Sequence, residues 1–459
     1  MAFERLPTET LIDIVKYAGI DGTTSSWLSL ASCNQNLNRI VTPMLYLNFT
    51  EMGRNSVPKL LRTVLANTQL ATYVRRYTGP GFPNREFLDV SELAKADFAA
   101  CQERMNAFQE TLKGTGAALE EIENWMPRIR QGRWHAVTSM LLLLLPNLEG
   151  IEMIDYRHDE AGDMEHALGI AARLQGSEIS AQLSLEHLTD VSLSPFAQPD
   201  VAEADDPLGF YLWPESEYLH FSDIVPFLRL PSVQSVAVSR LAVDNARDRR
   251  LVCPPGNYQF STKKLEIANS CLDAWWLITF LRLFTSLCKF SYNHVAREQE
   301  DPDFLPQEIG QAIVHLHPCL EELEISNSGE ENGEWTTARE IGSLAEFERL
   351  KSIDVDWSTL VGFPSGEDGS MPVVRLCEAL PRALERLVLS HSDGLCCEEN
   401  LRELLWMVEE RFPELKRIEM KGSHCNDSGA LTRDFKAKGV ELLTHPPKCD
   451  FGTKKVIFE

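Results

Sequence analysis

Basic residues are scarce in this chain. Lys and Arg total 44 against 68 Asp and Glu, a formal net charge of −24 over 459 residues. Such an acid excess repels phosphate backbones and anionic bilayers, so it argues against non-specific nucleic-acid or membrane-surface binding. It favours solubility and a basic partner. Long apolar runs are missing too: Leu141 to Leu145 is far shorter than the ~20 residues that span a bilayer. Near the start, Arg5 is followed by Leu6-Pro7 and polar residues rather than by an apolar leader. The 11 cysteines lack any CxxC spacing, and Cys33, Cys253, Cys271, Cys288 and Cys319 sit beside apolar residues, as reduced thiols do. The expectation is a soluble chain of the cytoplasm, the nucleus or both.

Catalytic signatures are equally sparse. There is no glycine-rich phosphate loop and no G-x-S-x-G; Gly79-Pro80-Gly81 and the stretch from Gly362 to Gly369 are turn-like. His315, His317 and Cys319 alternate, but Leu316 and Leu320 beside them belong to an apolar repeat, and no second ligand pair lies near. Cys396-Cys397 has no nearby basic pair to activate a thiolate. The chain is therefore expected to be non-enzymatic, with no cofactor and no metal.

What is present begins at Leu6. Pro7 suits the first turn of a helix, and Leu11, Ile14, Val15 and Ala18 follow at helical spacing. Gly19 to Ser26 is turn chemistry. Trp27, Leu28, Leu30, Ala31, Leu37 and Ile40 resume the apolar pattern, which Pro43 is expected to stop. About 40 residues cannot bury a stable core alone, so this helical segment should dock on something else.

Leu6-Pro7, the acidic Glu9, the apolar Leu11, Ile14, Leu28, Leu30, Cys33, Leu37 and Ile40, and the end Thr42-Pro43-Met44-Leu45-Tyr46 resemble an F-box of the fungal kind. Asn34-Gln35-Asn36 stands where that family has a basic pair, and Leu37 where it has an aromatic. The resemblance implies that Leu6, Pro7, Glu9, Leu11, Ile14, Leu28, Leu30, Cys33, Leu37 and Ile40 contact a Skp adaptor, and through it a cullin–RING ubiquitin ligase of the SCF type.

Behind this segment one pattern recurs: an apolar helix, often a proline, then L-x-x-L-x-L. The triplets are Leu148/Ile151/Met153, Leu188/Val191/Leu193, Val233/Val236/Val238, Leu287/Phe290/Tyr292, Leu320/Leu323/Ile325, Leu350/Ile353/Val355, Leu384/Leu387/Leu389 and Leu415/Ile418/Met420. Leu265/Ile267 is a partial copy, Val440/Leu442 a terminal one, and Val57 to Tyr77 a first helix and strand. The last two apolar residues of each triplet point the same way from an extended segment, and only stacked copies bury them. The pattern resembles irregular leucine-rich repeats; its period varies from about 25 to about 45 residues, against ~20–29 in regular ones.

The expected architecture is α/β: an F-box-like helical domain over residues 1–50, then a leucine-rich-repeat-like solenoid over 51–459. Its parallel sheet should lie on the concave side and its helices on the convex side. A polar helical hairpin is inserted at about 82–133, with Leu88, Leu93, Phe98, Met105 and Phe108 as packing positions. An acidic and aromatic loop occupies about 196–218. Outward strand positions form two columns: Glu152, Ser192, Ala237, Glu266, Ser291, Glu324, Asp354, Val388, Glu419, and then Ser194, Ser239, Ala268, Asn293, Ser326, Asp356, Ser390, Lys421. Their acidity makes Glu266, Glu324, Asp354, Asp356 and Glu419 candidates for holding a basic segment of an unknown target. The functional expectation is a substrate receptor of the ligase. The alternative is a repeat scaffold without that role.

Overall fold

The structure, a computed structural model, describes residues 6–18, 24–51, 56–80, 101–115, 119–154, 156, 162–175, 183, 185–195, 218–243, 259–295, 305–327, 340–362, 374–390, 395–422 and 428–445. Two compact units divide the chain; among the described residues the first ends at Ser239 and the second begins at Arg240. Among the described residues, no helix is long and apolar enough to cross a membrane.

The first unit opens with three helices, α1 (Thr8–Ala18), α2 (Thr24–Cys33) and α3 (Gln35–Leu47). They have a small core of their own: Leu11, Val15, Ala31, Leu37 and Val41, flanked by Trp27, Leu30, Ile40, Met44 and Leu45. Asn34 explains how the chain turns between α2 and α3. Its backbone is extended, and its side-chain oxygen accepts the Leu37 amide at 2.8 Å, capping α3. Pro43 does not stop α3. It lies inside the helix, which continues because Met44 and Leu45 pack on the three-helix core, tertiary contact overriding local propensity.

Helix α3 then passes directly into β1 (Asn48–Thr50), so the first strand of the array precedes the expected boundary at residue 50. It pairs in parallel with β2 (Arg76–Pro80). Between them lie α4 (Ser56–Ala66), which buries Val57, Leu60, Leu61, Val64 and Leu65, and α5 (Thr68–Ala71). Residues around Leu70, expected as strand, form α5 because the Asn67 side chain caps it through the Gln69 amide at 3.1 Å. Strands β3 (Gly150–Ile154), β4 (Asp190–Leu193) and β5 (Ser235–Ser239) follow in chain order, each parallel to the one before. In the second unit β6 (Lys264–Ser270), β7 (Lys289–His294), β8 (Glu322–Asn327), β9 (Ser352–Asp356), β10 (Arg386–Ser390), β11 (Arg417–Lys421) and β12 (Glu441–His445) repeat the arrangement. The partial copy at Leu265/Ile267 is thus a full strand of 7 residues.

Every member of the eight apolar triplets is buried, none above the 4% exposure of Leu415. The two residues after the first apolar position tie each strand to the one before it. In the first unit the amides of Glu149 and Gly150 both donate to the Arg75 carbonyl, at 2.7 and 3.1 Å. Those of Thr189 and Asp190 both donate to the Glu149 carbonyl, at 2.9 and 3.1 Å. In the second unit the Lys263, Cys288, Glu321, Lys351 and Glu385 carbonyls each receive a pair in the same way. In these repeats one carbonyl therefore fixes the start of the next strand.

Of the inserted hairpin, the structure describes Gln102–Gly114 and Leu119–Arg130. Met105, Phe108 and Leu112 on the first pack toward Ile122, Trp125, Met126 and Ile129 on the second, with Phe108 edge-on to Trp125 at 6.1 Å. Leu88, Leu93 and Phe98 lie outside the described residues, as does the 196–218 loop except Tyr218.

Gly310 in the helix Pro306–Ile313 tests the tightness of helix packing in the second unit, because a Cβ there would collide with the Ile341 carbonyl. Gly310→Ala is expected to destabilise by about 1–3 kcal/mol in urea unfolding. Gly169→Ala, in a helix where a Cβ meets nothing within 4 Å, is expected to be neutral or to stabilise by up to about 1 kcal/mol. Equal effects would contradict the packing argument.

Candidate interaction surfaces

The residues assigned to an adaptor divide into three sets. Leu11 and Leu37 are turned inward, 4% and 1% exposed, and hold the three helices together rather than facing a partner. Burial in the helices' own core is the reason, and it corrects their assignment as contact residues. Ile14, Leu30 and Ile40 are half-buried at the margin of that core. Leu6, Pro7, Glu9, Leu28 and Cys33 are exposed, Leu28 to 56%. Tyr17, which the spacing argument did not single out, is 78% exposed on α1.

On the sheet, the outward columns are the rows the registers bring together. In the second unit Glu266, Ser291, Glu324, Asp354, Val388 and Glu419 stand side by side across β6 to β11. The row before it is Lys264, Lys289, Glu322, Ser352, Arg386 and Arg417. That neighbouring basic row was not read from the sequence, and it changes the electrostatics. Glu419 meets Arg417 at 3.2 Å, Arg386 at 3.6 Å and His445 at 3.4 Å. Partial burial pushes its carboxyl up, but the Arg417 hydrogen bond and the charges of Arg417, Arg386 and Lys421 outweigh that and hold it below the usual range. Asp354 is paired with Lys421 at 3.0 Å.

Asp356 is not on the exposed face at all. It is 2% exposed, and its Oδ2 accepts the Asn327 amide at 3.0 Å. The chain enters the helix Trp357–Val361 at this point, so β9 ends here and its alternation no longer applies. Glu266 and Glu324 differ from the rest. Both are exposed, flank the buried Ser291, and have no ion-pair partner among the described residues. The base between them, Lys289, bonds to Glu322 at 3.1 Å, and that bond raises its pKa first.

His315, His317 and Cys319 are engaged separately. His315 Nε2 lies 3.1 Å from the carbonyls of both Leu281 and Phe284, so that nitrogen carries the proton and donates to them. Cys319 Sγ lies 3.4 Å from the Leu316 carbonyl, and burial pushes its thiol pKa up. The thiol is therefore protonated and unreactive at neutral pH.

In the first unit the outward rows are Arg76, Gly150, Asp190, Ser235 and Thr78, Glu152, Ser192, Ala237. They enclose a hollow of about 270 Å³. Just after β1, the partly buried Glu51 accepts the Tyr77 hydroxyl at 3.2 Å. Burial lifts its carboxyl from 4.5 to about 7, against the pull of that bond.

A sequence model of the family described as leucine-rich repeat domain matches residues 51–445. No curated protein matches the chain. Among solved structures, the crystal structure of the Rad7 and Elc1 complex in yeast is similar at 13% identity and a TM-score of 0.38, over 95% of this chain and 92% of that one.

Glu51 gives a pH dependence with a definite sign. Its folded pKa of about 7 lies above the ordinary 4.5, so its stabilising contribution is full below about pH 4.5 and lost as pH rises through about 7. Glu51→Gln mimics the protonated acid. In thermal unfolding across that range, the variant is expected to gain on the native chain as pH rises; a constant difference would contradict the assignment.

Proposed function

The chain belongs to the leucine-rich repeat domain family, and from that premise we propose that it is a non-catalytic substrate receptor of an SCF-type ubiquitin ligase. The N-terminal helices bind a Skp adaptor and, through it, a cullin–RING ligase. The repeat array binds the protein to be modified. The observation that carries this reading is the exposed apolar set Leu6, just before α1, Tyr17 on α1 and Leu28 on α2, in a three-helix segment whose own core is already complete. A helical trio that merely capped the array would turn such residues toward it.

The chain's contribution to the reaction is positional. Tethering a target beside the ubiquitin-carrying enzyme raises the effective concentration of its lysines, and needs no catalytic group here. The receptor works in the cytoplasm, the nucleus or both. Target contact by the acidic row narrows to Glu266 and Glu324, since the other expected acids are paired within the sheet or buried. These two suit a basic side chain placed over Ser291. The second reading, a repeat scaffold without a ligase role, is favoured by the inward turn of Leu11 and Leu37.

Co-elution of the purified chain with a purified Skp adaptor separates the two. The receptor reading expects a stable complex that Leu28→Glu, or Leu6→Ala with Pro7→Ala, weakens by roughly 30-fold, the size of an interface hot spot. The variants should unfold at the native temperature, because these side chains lie outside the core. Absence of a complex supports the scaffold. A complex unaffected by either change places the adaptor elsewhere.

A further inference from the structure

Four of the eight outward residues on β2 to β5 are small: Gly150, Ser192, Ser235 and Ala237. Their small size leaves room for the hollow of about 270 Å³ that these strand residues line on this face. That is below the ~300–1,000 Å³ of small-molecule sites and open to solvent along the rows, which suits a side chain delivered by an extended segment.

Its rim is charged. Arg76 has no ion-pair partner among the described residues, and its Cγ comes within 3.6 Å of where a Gly150 Cβ would stand, so the stem leans over the glycine. Glu152 accepts only the Thr78 hydroxyl, at 3.2 Å. Asp190 accepts only the Thr189 hydroxyl, at 2.6 Å. Neither carboxylate has a cation partner among the described residues. In the second unit Asp354 and Glu419, in the row that Glu152 matches, are neutralised by Lys421, Arg386 and Arg417. Arg76 and Asp190 lie two strands apart, about 10 Å, with Glu152 about 7 Å further along the β3 strand from Gly150. The cleft thus presents one cation and two anions with no ion-pair partners among the described residues, around a floor of small residues.

We propose that this hollow is a recognition site for an extended protein segment carrying an acidic and a basic side chain two positions apart, the acid meeting Arg76 and the base entering between Glu152 and Asp190. Alternate residues of an extended chain project to the same side about 7 Å apart, so both reach the rim together. The polar floor of Ser192 and Ser235 supplies hydroxyls for the head of a lysine or arginine. This rests on the reading of the exposed sheet face as the target-binding surface, and not on the adaptor contact.

The test uses the full chain as bait for a displayed library of random peptides, with Arg76→Glu as a parallel bait. The native chain is expected to enrich acidic-x-basic segments. Arg76→Glu should replace the acidic position by a basic one, because the whole rim is then negative. Fluorescence anisotropy of one enriched peptide should show at least a tenfold loss on the variant, and the same loss on Ser192→Trp, which fills the hollow. Both changes lie on the exposed face, and hydrogen exchange of the buried strands verifies the fold. Enrichment of no motif, or of a motif indifferent to Arg76→Glu, overturns the proposal. Enrichment of purely basic segments lost only on Glu266→Lys would leave the sheet face as a binding surface and move the site to the second unit.

Discussion

A carbonyl that serves two amides is the interaction on which most steps of this array depend. The Arg75, Glu149 and Thr189 carbonyls in the first unit, and those from Lys263 to Glu385 in the second, each accept two successive N–H groups from the next repeat. The two residues so used lie between the first two apolar positions of each triplet, and strand alternation sets the spacing of the last pair. The same clamp fixes the registers, and the registers decide which side chains stand together on the open face. Because the clamp is made by backbone alone, it tolerates glutamate, threonine, cysteine or lysine at the clamping position. The outward chemistry is thus left unconstrained by the fold.

The repeats were legible because their signal is apolar and periodic. Leu148/Ile151/Met153 and its counterparts are buried as their spacing requires, and the copy around Leu265 proved to be a complete strand. Local signals were less reliable where a polar side chain or tertiary contact competes. Asn67 caps α5, where the run of apolar and β-branched residues suggested a strand. Pro43 is carried through α3 by the packing of Met44 and Leu45 on the helical core. The strand Asn48–Thr50 was missed because it follows a helix without a turn signal and has no triplet of its own.

Functional residues were harder to read because charge is a property of neighbours. The acidic column was visible in the sequence, but the bases that neutralise Asp354 and Glu419 lie up to 67 residues away from their partners. Only register places Lys421 against Asp354, or Arg386 beside Glu419. What remains after that neutralisation is specific: Glu266 and Glu324 in one unit, and Arg76, Glu152 and Asp190 in the other. In the helices, apolar spacing alone could not divide Leu11 and Leu37, which build the core, from Leu28, which does not. The division follows from the three helices closing on one another before they meet anything else.

The central claim is that the three N-terminal helices form a docking surface while the array behind them stays open for a target. Hydrogen exchange of the full chain, with and without a purified Skp adaptor, tests it most directly. The account predicts that added protection falls on Thr8–Ala18, Thr24–Cys33 and Gln35–Leu47 and leaves the strands from Lys264 onward unchanged. No added protection, or protection confined to the strands, would contradict it.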